Sequence, residues 1–145
     1  MLAVEKIGCF LFLGCMSLFD IRSKRLPDKS LYLGILAAIS VRIIFKGLPL
    51  RSYIIAALIG VLFITVSYFT NEKIGYGDGL IILYTGLLLG VENLLFIIFS
   101  ALVMCSLTGI VFMITRSIKS DFSLPFVPFI FAGFMLLLGF QGCSV

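Results

Sequence analysis

The chain has 145 residues, 61% of them apolar and 12% charged, with a net charge of +4 and a mean hydropathy of +1.24. Soluble domains carry about 45–50% apolar and about 25% charged residues, and a small one buries only about 60–70% of what its chain exposes, so a water-soluble globule cannot hide this composition. The absence of histidine excludes a Ser–His protease, an HExxH zinc protease and most His-ligated metal sites.

At ~20 residues per spanning helix, a chain of 145 residues accommodates about six spans. The expectation is an all-α, polytopic membrane helix bundle forming one domain over residues 1–145. Span 1 covers Met1 to Phe19, with Glu5 and Lys6 near one end. The stretch Phe12-Leu13-Gly14-Cys15 loosely matches a lipoprotein cleavage box, but the apolar run continues to Phe19 and only Lys6 precedes it, so a first span is the better reading. Span 2 runs from Ser30 to Phe45, with Arg42 placed to snorkel from its end. Span 3 covers Ser52 to Thr70, span 4 runs from Gly79 until Glu92 and Asn93, span 5 covers Leu94 to Thr115, and span 6 runs from Phe122 to Phe140.

Arg22, Lys24, Arg25, Lys29, Lys73, Arg116 and Lys119 fall in loops on one side, and Lys6, Arg42, Lys46 and Arg51 on the other. Basic residues accumulate in cytoplasmic loops, which places both termini outside. Cys9, Cys15, Cys105 and Cys143 form no CxxC pair, so they read as membrane thiols rather than a metal cluster. No metal, no cofactor and no nucleic-acid partner is expected; the bilayer itself is the expected surrounding.

Most carboxylates have ordinary explanations, such as Asp28 capping the start of span 2. Asp20 and Asp78 differ. Asp20 follows the apolar run Gly14–Phe19 directly, and Asp78 lies in Gly75-Tyr76-Gly77-Asp78-Gly79. The apolar run from Gly79 to Val91 is 13 residues, which is ~20 Å of helix against ~30 Å of hydrocarbon. A span so short begins inside the bundle, and a carboxylate there is a functional candidate by default. The surrounding glycines permit positive φ and close backbone approach. Two facing carboxylates cannot both ionise easily. They share a proton, so one activates water while the other polarises a carbonyl, and neither metal nor histidine is needed.

Three motifs in order resemble the type IV prepilin peptidase family, the bacterial branch of the GxGD membrane aspartic proteases. These are Phe19-Asp20-Ile21-Arg22-Ser23-Lys24-Arg25-Leu26-Pro27-Asp28, then Gly75-Tyr76-Gly77-Asp78, then Leu124-Pro125-Phe126-Val127-Pro128-Phe129. The resemblance implies a multi-pass protein of a prokaryotic cytoplasmic membrane that removes the short basic leader from prepilins or pseudopilins, cutting after Gly at the cytoplasmic face. The resemblance also implies a role in type IV pilus assembly or protein secretion. Asp20 and Asp78 would be the catalytic pair, Gly75 and Gly77 would shape the turn, and Pro125 and Pro128 would shape the entry to span 6. A substrate helix requires a lateral or cytoplasmic opening between spans.

Two departures accompany the resemblance. Gly79-Leu80 stands where the family commonly has a Lys two residues after the Asp, and no paired-CxxC insertion is present, which implies a stand-alone peptidase without methyltransferase activity. The alternative from another class is a small carrier or channel subunit using the two carboxylates as a proton or cation relay. A relay staggers them through the bilayer; a peptidase brings them together on one side.

Overall fold

The computed structural model describes residues 2–23, 28–44, 49–69, 75–115 and 125–143. They form five helices: α1 (Leu2–Ser23), α2 (Asp28–Ile44), α3 (Leu50–Phe69), α4 (Tyr76–Thr115) and α5 (Val127–Cys143). The all-α expectation holds, with no strand among the described residues. Lys24, Arg25, Lys46, Glu72, Lys73, Arg116, Lys119, Asp121 and Leu124, on which part of the charge count and of the third motif rest, lie outside the described residues.

The described residues form five helices, the fourth of which joins two helical arms across a kink. Spans 4 and 5 join in the 40-residue α4, whose course is broken at Gly90 by φ 79° and ψ 173°. That φ lies in the region glycine tolerates and other residues avoid, and Gly90 is the one positive-φ glycine among the described residues. A helix break frees backbone groups that need partners, above all in surroundings without water. Four such groups find side-chain partners here. Arg42 Nε donates to Leu87 O at 2.8 Å and Arg42 Nη2 donates to Leu88 O. Asn93 Nδ2 donates to Leu89 O at 2.9 Å, and Val91 N–H donates to Ser52 Oγ at 3.1 Å.

Arg42 therefore does not snorkel. It turns inward, its Nη1 lies 3.1 Å from Glu5 Oε1 with Glu5 buried and Arg42 largely covered, and its guanidinium stacks 4.3 Å from the Tyr53 ring centroid. A charge taken out of water has to be paired, and this one ties α1, α2, α3 and the α4 corner together.

The two arms of α4 pack in different ways. Residues 76–89 lie antiparallel to α3, with Gly86 against Ala56, Leu83 against Gly60 and Gly79 against Ile64. A Cβ on Gly60 would stand 2.7 Å from Leu83 Cα, and one on Gly79 would stand 2.8 Å from Ile64 Cγ1 and 3.1 Å from Ile64 N. Small residues allow helices to approach this closely where apolar lipid supplies no drive to associate. Residues 91–115 pack on α5, where a Cβ on Gly133 would meet Ile97 O at 2.8 Å and Gln141 Nε2 donates to Asn93 Oδ1 at 3.2 Å. α4 thus touches each of the other four helices, and α1 also packs against α5.

The core runs along α4 through Leu80, Ile81, Ile82, Leu94 and Ile97, and takes Leu13 from α1, Leu31 from α2 and Phe134 from α5. Outward, Leu33, Leu36, Leu58, Leu62, Phe99, Met113 and Ile114 are exposed, a surface that water disfavours. Leu50–Phe69 and Tyr76–Thr115 are long and apolar enough to cross a membrane, and only 17% and 22% of their most apolar 18-residue stretches are buried. A soluble protein's core helix would be mostly covered. These faces suit lipid.

Candidate active site

α1 buries one stripe, formed by Glu5, Cys9, Leu13, Met16, Ser17 and Asp20, the three- and four-residue spacing of a single helix face. The stripe carries a carboxylate at each end. Glu5 is matched by Arg42 at the Gly90 end of the bundle. Asp20, at 7% exposure, lies near the last turn of α1 and meets a backbone amide instead: Val127 N–H donates to Asp20 Oδ2 at 3.1 Å.

That amide is available because of the local sequence at the start of α5. A helix begins with four N–H groups lacking intrahelical partners. Here Phe129 N–H and Ile130 N–H both donate to Phe126 O, at 3.0 and 3.3 Å, and Pro128 has no N–H to offer. Val127 N–H is what remains, and it goes to Asp20. The segment Pro125-Phe126-Val127-Pro128 thus directs a single donor and the positive end of α5 at one carboxylate. Pro125 and Pro128 stand beside the site, both partly buried.

The Gly75–Asp78 turn opens α4. Asp78 N–H donates to Gly75 O at 3.0 Å, and the carboxylate folds back over Gly75, where a Cβ would stand 2.9 Å from Asp78 Oδ2. The expectation that these glycines serve through positive φ is corrected, since none of Gly75, Gly77 and Gly79 adopts it. Gly75 makes room for the carboxylate and Gly79 for the backbone of α3. Gly77 lies in the first turn, partly buried.

Asp20, near the last turn of α1, and Asp78, in the first turn of α4, are 58 positions apart in the chain and lie at the same end of the bundle, away from the Arg42–Glu5 pair. Cys105, partly buried, lies on the second arm of α4, 15 residues after the break at Gly90, as Asp78 lies 12 residues before it. From the sequence Cys105 is a membrane thiol like the others, and only the folding back of α4 at Gly90 places it at this end of the bundle. The site therefore gathers α1, both arms of α4 and the start of α5 at one end of the bundle, opposite the Arg42–Glu5 pair. Both carboxylates are on the same side rather than staggered. An apolar groove of about 440 Å³ opens between α1 and α2, lined by Glu5, Leu11, Phe12, Cys15, Val41 and Leu88 among others; neither Asp20 nor Asp78 lines it, so it is not the expected opening to the site.

Comparison with known proteins adds one finding. Nothing among curated proteins or solved structures matches the chain. A family model does match, over residues 7–110, a stretch that includes Asp20 and the whole Gly75–Asp78 turn and ends before Pro125. With most of its length matched, this chain belongs to the type IV leader peptidase family.

Proposed function

We propose that this peptidase is a membrane-embedded aspartic endopeptidase in which Asp20 and Asp78 are the catalytic pair, and that it removes the short basic leader of prepilin-like proteins by cutting after Gly. The observation that carries the reading is the placement of two carboxylates from separate helices at one end of an otherwise apolar bundle, Asp20 held by Val127 N–H at the start of α5 and Asp78 in the first turn of α4. Carboxylates so placed share a proton. Oδ2 of Asp20 is committed as acceptor to Val127 N–H, so the shared proton resides on Oδ1 of Asp20 or on Asp78. The ionised member takes a proton from water as that water attacks the scissile carbonyl. The protonated member donates to the carbonyl oxygen, and the leaving amine receives its proton as the tetrahedral intermediate collapses.

In this reading the two arms of α4 cross the bilayer separately, making six crossings with both termini outside, and the Asp20–Asp78 end faces the cytoplasm. The support is the excess of Lys and Arg in the loops after spans 1, 3 and 5. The membrane is the cytoplasmic membrane of a prokaryote, and the substrates are pilins or pseudopilins of a pilus or secretion apparatus. Residues 1–145 act as one peptidase domain.

The test is co-expression with a prepilin-like substrate carrying a Gly–Phe junction, following leader removal by gel shift and by the mass of the new N-terminus. Wild type should cleave after Gly, and Asp20→Asn and Asp78→Asn should each leave the precursor intact. Full cleavage by either variant would sink the mechanism.

A further inference from the structure

Between Gly75 and Gly79 only Tyr76 and Asp78 carry side chains. A turn with three glycines has little intrinsic stiffness, because glycine leaves the backbone more conformational freedom than any other residue. Its anchors must come from outside. On one flank Gly79 presses against Ile64 of α3. On the other, the Tyr76 hydroxyl lies 3.1 Å from the Tyr32 hydroxyl of α2. Tyr32 adjoins Leu31, which is buried at 1% exposure, so core packing fixes the α2 end of the pair.

We propose that Tyr32 and Tyr76 are positioning residues whose paired hydroxyls fasten the Gly75–Asp78 turn to α2 and so set where the Asp78 carboxylate stands relative to Asp20. This deepens the aspartic peptidase reading above and rests on it. The pair closes a circuit. Asp20 ends the buried stripe of α1, Tyr32 lies 12 positions further along the chain near the start of α2, and Tyr76 is two positions ahead of Asp78. Without the hydroxyl bond the turn keeps its seat on α3 and the packing of the Tyr76 ring on the core but loses this tie to α2. Tyr32 is 49% exposed, so water can replace its partner and the global fold loses little. The geometry of the carboxylate pair is what changes.

The experiment uses the full chain, purified in detergent, with a leader-bearing substrate. Tyr32→Phe, Tyr76→Phe and the double variant remove the hydroxyls and keep the rings. Each single change should lower kcat about 3- to 10-fold, the range of one net hydrogen bond, with KM within about twofold of wild type. The double variant should be no slower than the slower single one, since both changes remove the same bond. The pH–rate bell should narrow, because a looser pair couples its two ionisations less. Melting temperatures should match wild type. Multiplying losses in the double variant, a change confined to KM, wild-type kcat in either single variant, or a fall in melting temperature that accounts for the lost activity would each overturn the proposal. Asp20→Asn and Asp78→Asn run alongside: cleavage by those variants removes the reading underneath, whereas their inactivity beside wild-type behaviour of the Phe variants removes only the positioning role.

Discussion

Replacing Val127 with proline deletes one hydrogen atom's worth of chemistry from the site. Val127 is the first residue of α5, a position where proline is favoured because its fixed φ suits the first helical turn and its missing N–H has no helical partner to lose. Phe126, just outside the helix, already occupies the place where a pre-proline residue is at ease in extended backbone. The helix start is therefore compatible with the change. What disappears is the 3.1 Å bond from Val127 N–H to Asp20 Oδ2. Hydrogen bonds to charged groups contribute about 1.5–3 kcal/mol, so kcat/KM should fall roughly 10- to 150-fold if the bond orients Asp20 throughout the reaction. Val127 is also fully buried, at 0% exposure, which makes Val127→Ala the necessary control. Alanine keeps the N–H and loses more side-chain volume than proline does. Cleavage of a prepilin-like substrate by purified protein, with melting temperature measured alongside, separates the two contributions. Proline should be much the slower variant, and alanine much the closer to wild type in rate. Alanine slower than proline, or proline at wild-type rate, would refute the role given to this amide.

Gly75→Ala should place a methyl 2.9 Å from Asp78 Oδ2 and displace that carboxylate. Because Gly75 is exposed, a loss of activity of about tenfold or more is expected with little change in melting temperature, roughly 1.4 kcal/mol of misplacement being enough; an active, normally folded Ala variant would argue against this crowding. At the other end, Arg42→Met should leave Glu5 buried without its partner and strip Leu87 O and Leu88 O of their donors. Breaking a buried pair from one side costs about 3–5 kcal/mol, so a pronounced drop in thermal stability in detergent is expected, and a Met variant as stable as wild type would show that the corner does not depend on Arg42.

Much of this protein was legible from residue order alone. The apolar composition dictated helices facing lipid, because backbone polar groups in hydrocarbon must be satisfied within the segment, and α1, α2, α3 and α5 fall close to the apolar runs between charge clusters. Asp20 and Asp78 stood out as carboxylates beside apolar runs, and the start of α5 is marked by Pro125 and Pro128. Other features depend on residues far apart in the chain. Arg42 reads as an end-of-span charge until Glu5 and the Leu87 and Leu88 carbonyls are seen around it. Gly90 is one glycine among fourteen until its φ of 79° turns two spans into a broken helix.

The sequence by itself determined an apolar helical protein with two out-of-place acids, since hydropathy and charge act locally and need no partner to be read. Three-dimensional packing brings these acids to one end of the bundle, sets the Val127 amide on Asp20 and lets Tyr32 reach Tyr76. Those relations arise from backbone approach at Gly60, Gly79 and Gly133, and close packing between distant helices is a property of surfaces in three dimensions that no local pattern of residues records.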